Sequence, residues 1–173
     1  MGIYEIVSIG AFVAALVWAL RSRDPINLGA LFGGLLIFGF DWMWCSKSFF
    51  NATFTTELFN IPGLHIRGES YPFAVACNWA VGFGLIPVLA AQAYTQLGRK
   101  LGALHLPVMF VAFAVLDMVI EIICVHGLGV WHYYQAPQYL FYSWPWSNVV
   151  LLGGLLTFSY VGLAYLRRWL SMP

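Results

Sequence analysis

Charge is scarce in this chain: Asp, Glu, Lys and Arg together make up 9% of its residues. A soluble globular domain carries about 25%, so an integral membrane protein is expected. The formal net charge is +1, which leaves no basic stripe for nucleic acid and no acidic tail. Cysteine is rare as well. Cys45, Cys77 and Cys124 include no Cys-x-x-Cys pair, which argues against thiol redox chemistry. All three fall toward the outer side of the expected bundle, so two of them could pair in an oxidising compartment. The four histidines, His65, His105, His126 and His132, form no His-x-x-His or Glu-x-x-His repeat of the carboxylate-bridged metal type. A Gly-rich phosphate loop and a dinucleotide fingerprint are both missing. The expectation is therefore no metal and no cofactor. Residues Met1 to Glu5 lack the positive run of a cleaved signal, so a retained first span is expected.

Apolar residues take the place of charge. The chain is 61% hydrophobic and 18% aromatic. Five apolar runs stand out: Ile3–Leu20, Ile26–Trp44, Pro72–Leu97, Leu104–Val125 and Val149–Leu166. Each is near the ~20 residues that cross a hydrocarbon core. The expected fold class is all-α, a polytopic transmembrane helical bundle of about five spans, forming a single domain over residues 1–173. Arg21, Arg23, Arg99, Lys100, Arg167 and Arg168 all fall between or after spans on one side. The positive-inside rule makes that side cytoplasmic and puts the N-terminus outside.

The two outer connections are richer in chemistry. The first, Cys45 to Tyr71, carries Lys47, Asn51, Glu57, Asn60, His65, Arg67 and Glu69, with a turn at Ile61-Pro62-Gly63. The second, His126 to Asn148, holds eight aromatics between Trp131 and Trp146. Aromatics gather at membrane interfaces, but they also stabilise cations and line apolar pockets. A belt and a substrate lid both remain open.

Two carboxylates interrupt the fourth run, in Leu116-Asp117-Met118-Val119-Ile120-Glu121. A charge near the bilayer centre costs at least ~3 kcal/mol, so such residues usually face a polar cavity. Spaced four apart, Asp117 and Glu121 share one helix face. At 1.5 Å per residue from the cytoplasmic end, Asp117 lies ~20 Å, Glu121 ~26 Å and Asp41 of the second run ~22 Å along its helix. Asn78 falls within two turns of the outer end of the third run. These four residues are expected to converge in one pocket beneath the outer connections. Two buried carboxyls a turn apart cannot both ionise cheaply, so one is expected to be a neutral acid and the other an anion. The competing reading is that they bond Tyr, Trp or Asn neighbours and only fix the packing. Asp41 is a third catalytic candidate. Asn78, His126, Trp131, Tyr133, Tyr134, Trp144 and Asn148 are the candidates for binding a substrate.

Three segments carry a family resemblance: Asp117-x-x-x-Glu121, Gly127-Leu128-Gly129-Val130-Trp131-His132-Tyr133, and Tyr142-Ser143-Trp144-Pro145-Trp146-Ser147-Asn148. Together they resemble the avermectin-type (AveC-like) integral-membrane spirocyclases. The stretch from Asp41 through Asn51 to Leu58-Phe59-Asn60-Ile61-Pro62-Gly63 is similar to that family's outer loop. Trp131 and Pro145-x-x-Asn148 also resemble membrane carotenoid hydratases and lycopene cyclases. The spirocyclase pattern tends to carry an acidic residue after the proline, where Ser147 and Asn148 stand here. Both resemblances imply redox-neutral acid–base chemistry on a greasy substrate.

The expected function is a cyclase, isomerase or hydratase acting on a hydrophobic polyketide- or terpenoid-like small molecule within the membrane. Membrane lipid is the expected surrounding partner. A proton-coupled carrier is the first alternative, and a homo-oligomer would supply the symmetry that one chain lacks. A lipid-binding or partner-binding subunit is the second, suggested by the small-residue face Gly29-x-x-x-Gly33-Gly34.

Overall fold

The computed structural model describes residues 2–46, 50–54, 60–66, 69–134, 140–141 and 144–170. Lys47, Glu57, Arg67, Tyr139 and Tyr142 lie outside the described residues, as do the side chains of Phe141 and Trp144. Among the described residues the fold is an all-α helical bundle of five spans. The helices Gly2–Ser22, Phe73–Gln92, Tyr94–Gly127 and Trp146–Leu170 are long and apolar enough to cross a membrane. The second span is shorter. It is helical over Pro25–Phe40 and continues through Asp41–Cys45.

Local chemistry sets the helix ends. Asp24 caps the second span by accepting from the Ile26 amide at 2.9 Å, with Pro25 in the first turn. An aspartate cap followed by proline suits a helix start, because proline lacks the N–H that would go unpaired there. The third span stops earlier than the sequence pattern suggests. It ends at Gln92, and a separate helix, Tyr94–Leu101, carries Arg99 and Lys100 in its last turn. The fifth span begins at Trp146, so Asn148 belongs to its first turn and not to the connection.

Three spans leave regular α geometry where they carry polar residues. A 3₁₀ turn over Ile37–Phe40 leads into Asp41. A π-helical turn over Ala80–Leu85 follows Asn78 and Trp79. A second one, Ile122–Gly127, follows Glu121. The first π turn has a local cause: Pro87 just beyond it cannot donate to the ladder, and its ring needs room. Single π turns inside α-helices often mark functional sites.

The bundle is stitched in the order one, two, three, five, four. Span three packs on spans one and two, span five on the inner part of span three, and span four on span five. Spans two and three meet backbone to backbone. A Cβ on Gly34 would stand 2.7 Å from the Gly84 nitrogen, and one on Gly84 would stand 2.7 Å from the Ala30 carbonyl oxygen. The small-residue face therefore divides. Gly34 is an internal contact, while Gly29 and Gly33 are exposed with open space beside them.

The inner end is tied by Arg167, which donates to Asp24 at 2.6 Å and to the Asn27 side-chain oxygen. That contact joins the end of span five to the start of span two. The outer connections form short paired strands that the sequence pattern did not reveal. Strand β1 (Ala52–Phe54) pairs antiparallel with β4 (Trp131–Tyr133). Strand β2 (Asn60–Ile66) pairs with β3 (Glu69–Pro72), and its register shifts between Asn60 and His65. The Ile61-Pro62-Gly63 segment, expected as a turn, lies within β2 at that irregularity, with Gly63 at φ +76°. Strands β5 (Leu140–Phe141) and β6 (Trp144–Pro145) make a third short pair. Cys45, Cys77 and Cys124 are buried thiols, and no disulfide links them.

Candidate functional site

A cavity of about 80 Å3 lies among spans two, three, four and five, beneath the β1–β4 ribbon. Asp41, Asn78, Asp117 and Glu121 all line it, so the residues placed at one depth by counting along the helices do converge. The ribbon closes the top. Its register sets Phe54 opposite Trp131 and Ala52 opposite Tyr133, and all four of these residues border the cavity. Strand alternation explains the set, since every second residue faces one way. Asn51 holds the ribbon's end: its side-chain amide donates to the Tyr134 carbonyl at 3.1 Å, and its own carbonyl accepts from the Tyr134 amide at 3.1 Å. The walls are apolar, with Trp44, Trp79 and Phe83 among them.

The carboxyls have unlike surroundings. Glu121 is 3% exposed and accepts three hydrogen bonds. Asn148 Nδ2 donates to Oε1 at 2.6 Å, Tyr133 OH donates to Oε1 at 2.9 Å, and Trp131 Nε1 donates to Oε2 at 3.1 Å. The orientation of Asn148 follows from chemistry. An indole N–H can only donate, and Trp44 Nε1 donates to Asn148 Oδ1 at 2.8 Å, so the amide nitrogen must turn toward Glu121. Burial and the neighbouring carboxylate push the Tyr133 phenol above its ordinary range, which keeps it a donor. Glu121 is thus surrounded by groups that call for an acceptor.

Asp41 is 1% exposed and is held in a similar way. Its Oδ2 accepts from the Tyr71 hydroxyl and, at 2.8 Å, from Trp79 Nε1. Tyr71 stands in β3, where burial pushes its phenol up and keeps its proton in place. Asp117 differs from both. It is 7% exposed, and its Oδ2 is buried with no hydrogen-bond partner. An unanswered polar atom in an apolar interior costs about 1–3 kcal/mol. Asn78 stands half-buried at the cavity wall.

Several expected substrate contacts take other places. His126 is exposed and does not border the cavity. It lies in the π turn beyond Glu121, where Cys124 and Val125 face inward instead. Tyr134 is 61% exposed, because strand alternation turns it away from the face that carries Trp131 and Tyr133. The side chain of Trp144 lies outside the described residues. Trp131, Tyr133 and Asn148 do reach the site, and each bonds Glu121. Trp44, Tyr71 and Trp79 were missed in the sequence. Only Trp44 left a trace there, three residues after Asp41 and so on the same helix face. Among the described residues, no three His, Cys, Asp or Glu side chains are grouped so as to hold a metal ion.

Fold and site together define a multi-pass helical membrane protein with a small, apolar, carboxyl-bearing cavity near the end of the bundle that carries the paired strands. Compared with known proteins, the chain matches no family model, no curated protein and no solved structure.

Proposed function

We propose that the chain is a membrane-embedded acid–base catalyst that cyclises, isomerises or hydrates a hydrophobic polyketide- or terpenoid-like substrate without net redox change. One observation carries this reading: a buried carboxyl with an unpartnered oxygen, Asp117, stands one helical turn from a carboxylate held by three donors, Glu121. Among the described residues Asp117 has no donor or cation to support a negative charge, so it serves as the neutral acid. Its O–H proton passes to a C=C or ether oxygen of the substrate, and the bond to that proton forms as the O–H bond breaks. The substrate becomes cationic. Glu121, Asp41 and the faces of Trp44 and Trp79 stabilise that charge. Loss of a proton from the neighbouring carbon, or capture by an internal hydroxyl or water, ends the cation. The released proton returns to Asp117.

The same chemistry is what the resemblance to membrane spirocyclases implies. The test is untargeted metabolite profiling of cells expressing the wild type beside Asp117→Asn, at equal membrane abundance. The expected result is a hydrophobic product, isomeric with its precursor or differing from it by one water, that disappears in the variant. Unchanged metabolites with a stably inserted variant would reject catalysis and favour a carrier.

A further inference from the structure

The cavity is closed on most sides and loose on one. Asp41, Glu121, Trp131 and Asn148 are each at most 8% exposed and seal its outer half. The half-buried lining is of two kinds: Phe54, Trp79 and Tyr133 belong to the ribbon and the aromatic wall, and the rest to two helices. Asn78, Gly82 and Ile86 of span three recur every four residues, as do Leu116 and Ile120 of span four. The span-four row is one face of a helix, and the span-three row, which crosses the π turn, borders the same cavity. Span four packs along span five, whereas span three packs against spans one, two and five. Among the described residues the backbones of spans three and four make no such close contact, although side chains of both spans share two apolar clusters. The two rows border the same cavity from separate helices. Both helices are membrane spans, and their neighbouring residues Leu89, Val115 and Val119 are exposed apolar side chains. A slot between them would open on hydrocarbon.

Size decides what can use it. A cavity of about 80 Å3 is smaller than the ~150 Å3 that holds a benzene ring. A whole polyketide or terpenoid does not fit, but a reacting end of a few atoms does. The remainder must lie in apolar surroundings outside. The nearest such surroundings are the bilayer beyond the slot.

We propose that the slot between spans three and four is a lateral portal: a long-chain, membrane-dissolved substrate inserts its terminal unit through it toward Asp117 and leaves its hydrocarbon tail among the lipids. The identity of the chain as a substrate rests on the acid–base reading above. The portal itself rests on helix packing and cavity size. Gly82 lies in the middle of the slot, and a Cβ there would meet nothing within 4 Å. A side chain at that position starts from a Cβ with room around it and narrows the opening.

The probe is an alkyl chain ending in a diazirine, dissolved in phosphatidylcholine vesicles that carry the purified full chain. Light expels N2, and the carbene inserts into the Asp117 O–H to give an ester. Mass spectrometry locates the label. The portal predicts label at Asp117 in the wild type and its loss in Gly82→Leu. It also predicts retention in Gly33→Leu, a substitution on an equally open lipid-facing position of span two. A short water-soluble diazirine should leave Asp117 unlabelled. Absence of label at Asp117 in the wild type would overturn the portal. So would undiminished label in Gly82→Leu, or stronger labelling by the water-soluble probe. Gly82→Val serves if the leucine variant does not insert. Labelling needs no turnover. Label without any product in metabolite profiling would leave the portal standing and remove the acid–base reading.

Discussion

Arg167 at the inner end of the bundle and Asp117 in its outer half are both ionisable groups among apolar helices, but their partners differ. Arg167 meets an opposite charge, Asp24, and an amide oxygen, Asn27, on another span. Asp24 in turn caps the helix that follows it. Charge is balanced there, and the contact fastens span five to span two. Around the outer cavity three carboxyl groups gather, and among the described residues no Lys or Arg side chain lines it. Indole, phenol and amide donors hold two of them, and the third has an oxygen with no partner. The inner contact explains itself as structure. On the proposed reading the outer arrangement is a site awaiting a partner, because a preorganised anion and an unpaired acid suit a reaction that creates positive charge. The Trp, Tyr and Asn bonds to Glu121 are also those that the packing reading expects.

Substitutions can sharpen or break this contrast. The largest effect belongs to Asp117→Asn. Turnover should fall by about 10²–10⁴-fold, the usual worth of a positioned general acid, with the melting temperature in detergent unchanged or raised. A matching loss of stability would instead place Asp117 with the structural residues. Glu121→Gln should behave the other way round. The new amide would turn N–H groups toward donors already in place and leave at least one unpaired, at about 1–3 kcal/mol each. Thermal unfolding followed by far-UV circular dichroism would read that cost, and an unchanged melting temperature would show that the three-donor clamp is not tight. Asp24→Ala should cost about 1–2 kcal/mol, mainly through the lost helix cap, since a partly exposed ion pair adds little. Turnover per folded molecule should remain, and its loss would tie the inner end to the chemistry. The smallest effect is expected for His126→Ala, whose turnover should equal the wild type in a direct product assay.

Much of the bundle was legible in the sequence, because spans announce themselves by length and by scarcity of charge. The convergence of Asp41, Asn78, Asp117 and Glu121 was legible too. It needs only the helical rise and alternating span direction. The partners of those residues were not. Tyr71 and Trp131 reach their carboxylates from short strands, and strand pairing between two distant connections leaves no periodic mark in such brief segments. Trp79 and Asp41 come from different spans, whose packing depends on the Gly34–Gly84 approach. His126 was a candidate only by its place at the exit of span four, five residues beyond Glu121, and it stands exposed there. The break at Gln92 was hidden as well, since Ala93 and Tyr94 continue the apolar composition across it.

The central claim is that Asp117 carries a proton while Glu121 carries the charge. Infrared spectroscopy of the purified protein in lipid tests it directly, through the C=O stretch of a protonated carboxyl group and its shift in D2O. The account predicts that one such band disappears in Asp117→Asn and persists in Glu121→Gln. A band that persists in Asp117→Asn and disappears in Glu121→Gln would reverse the assignment of acid and anion and contradict the mechanism.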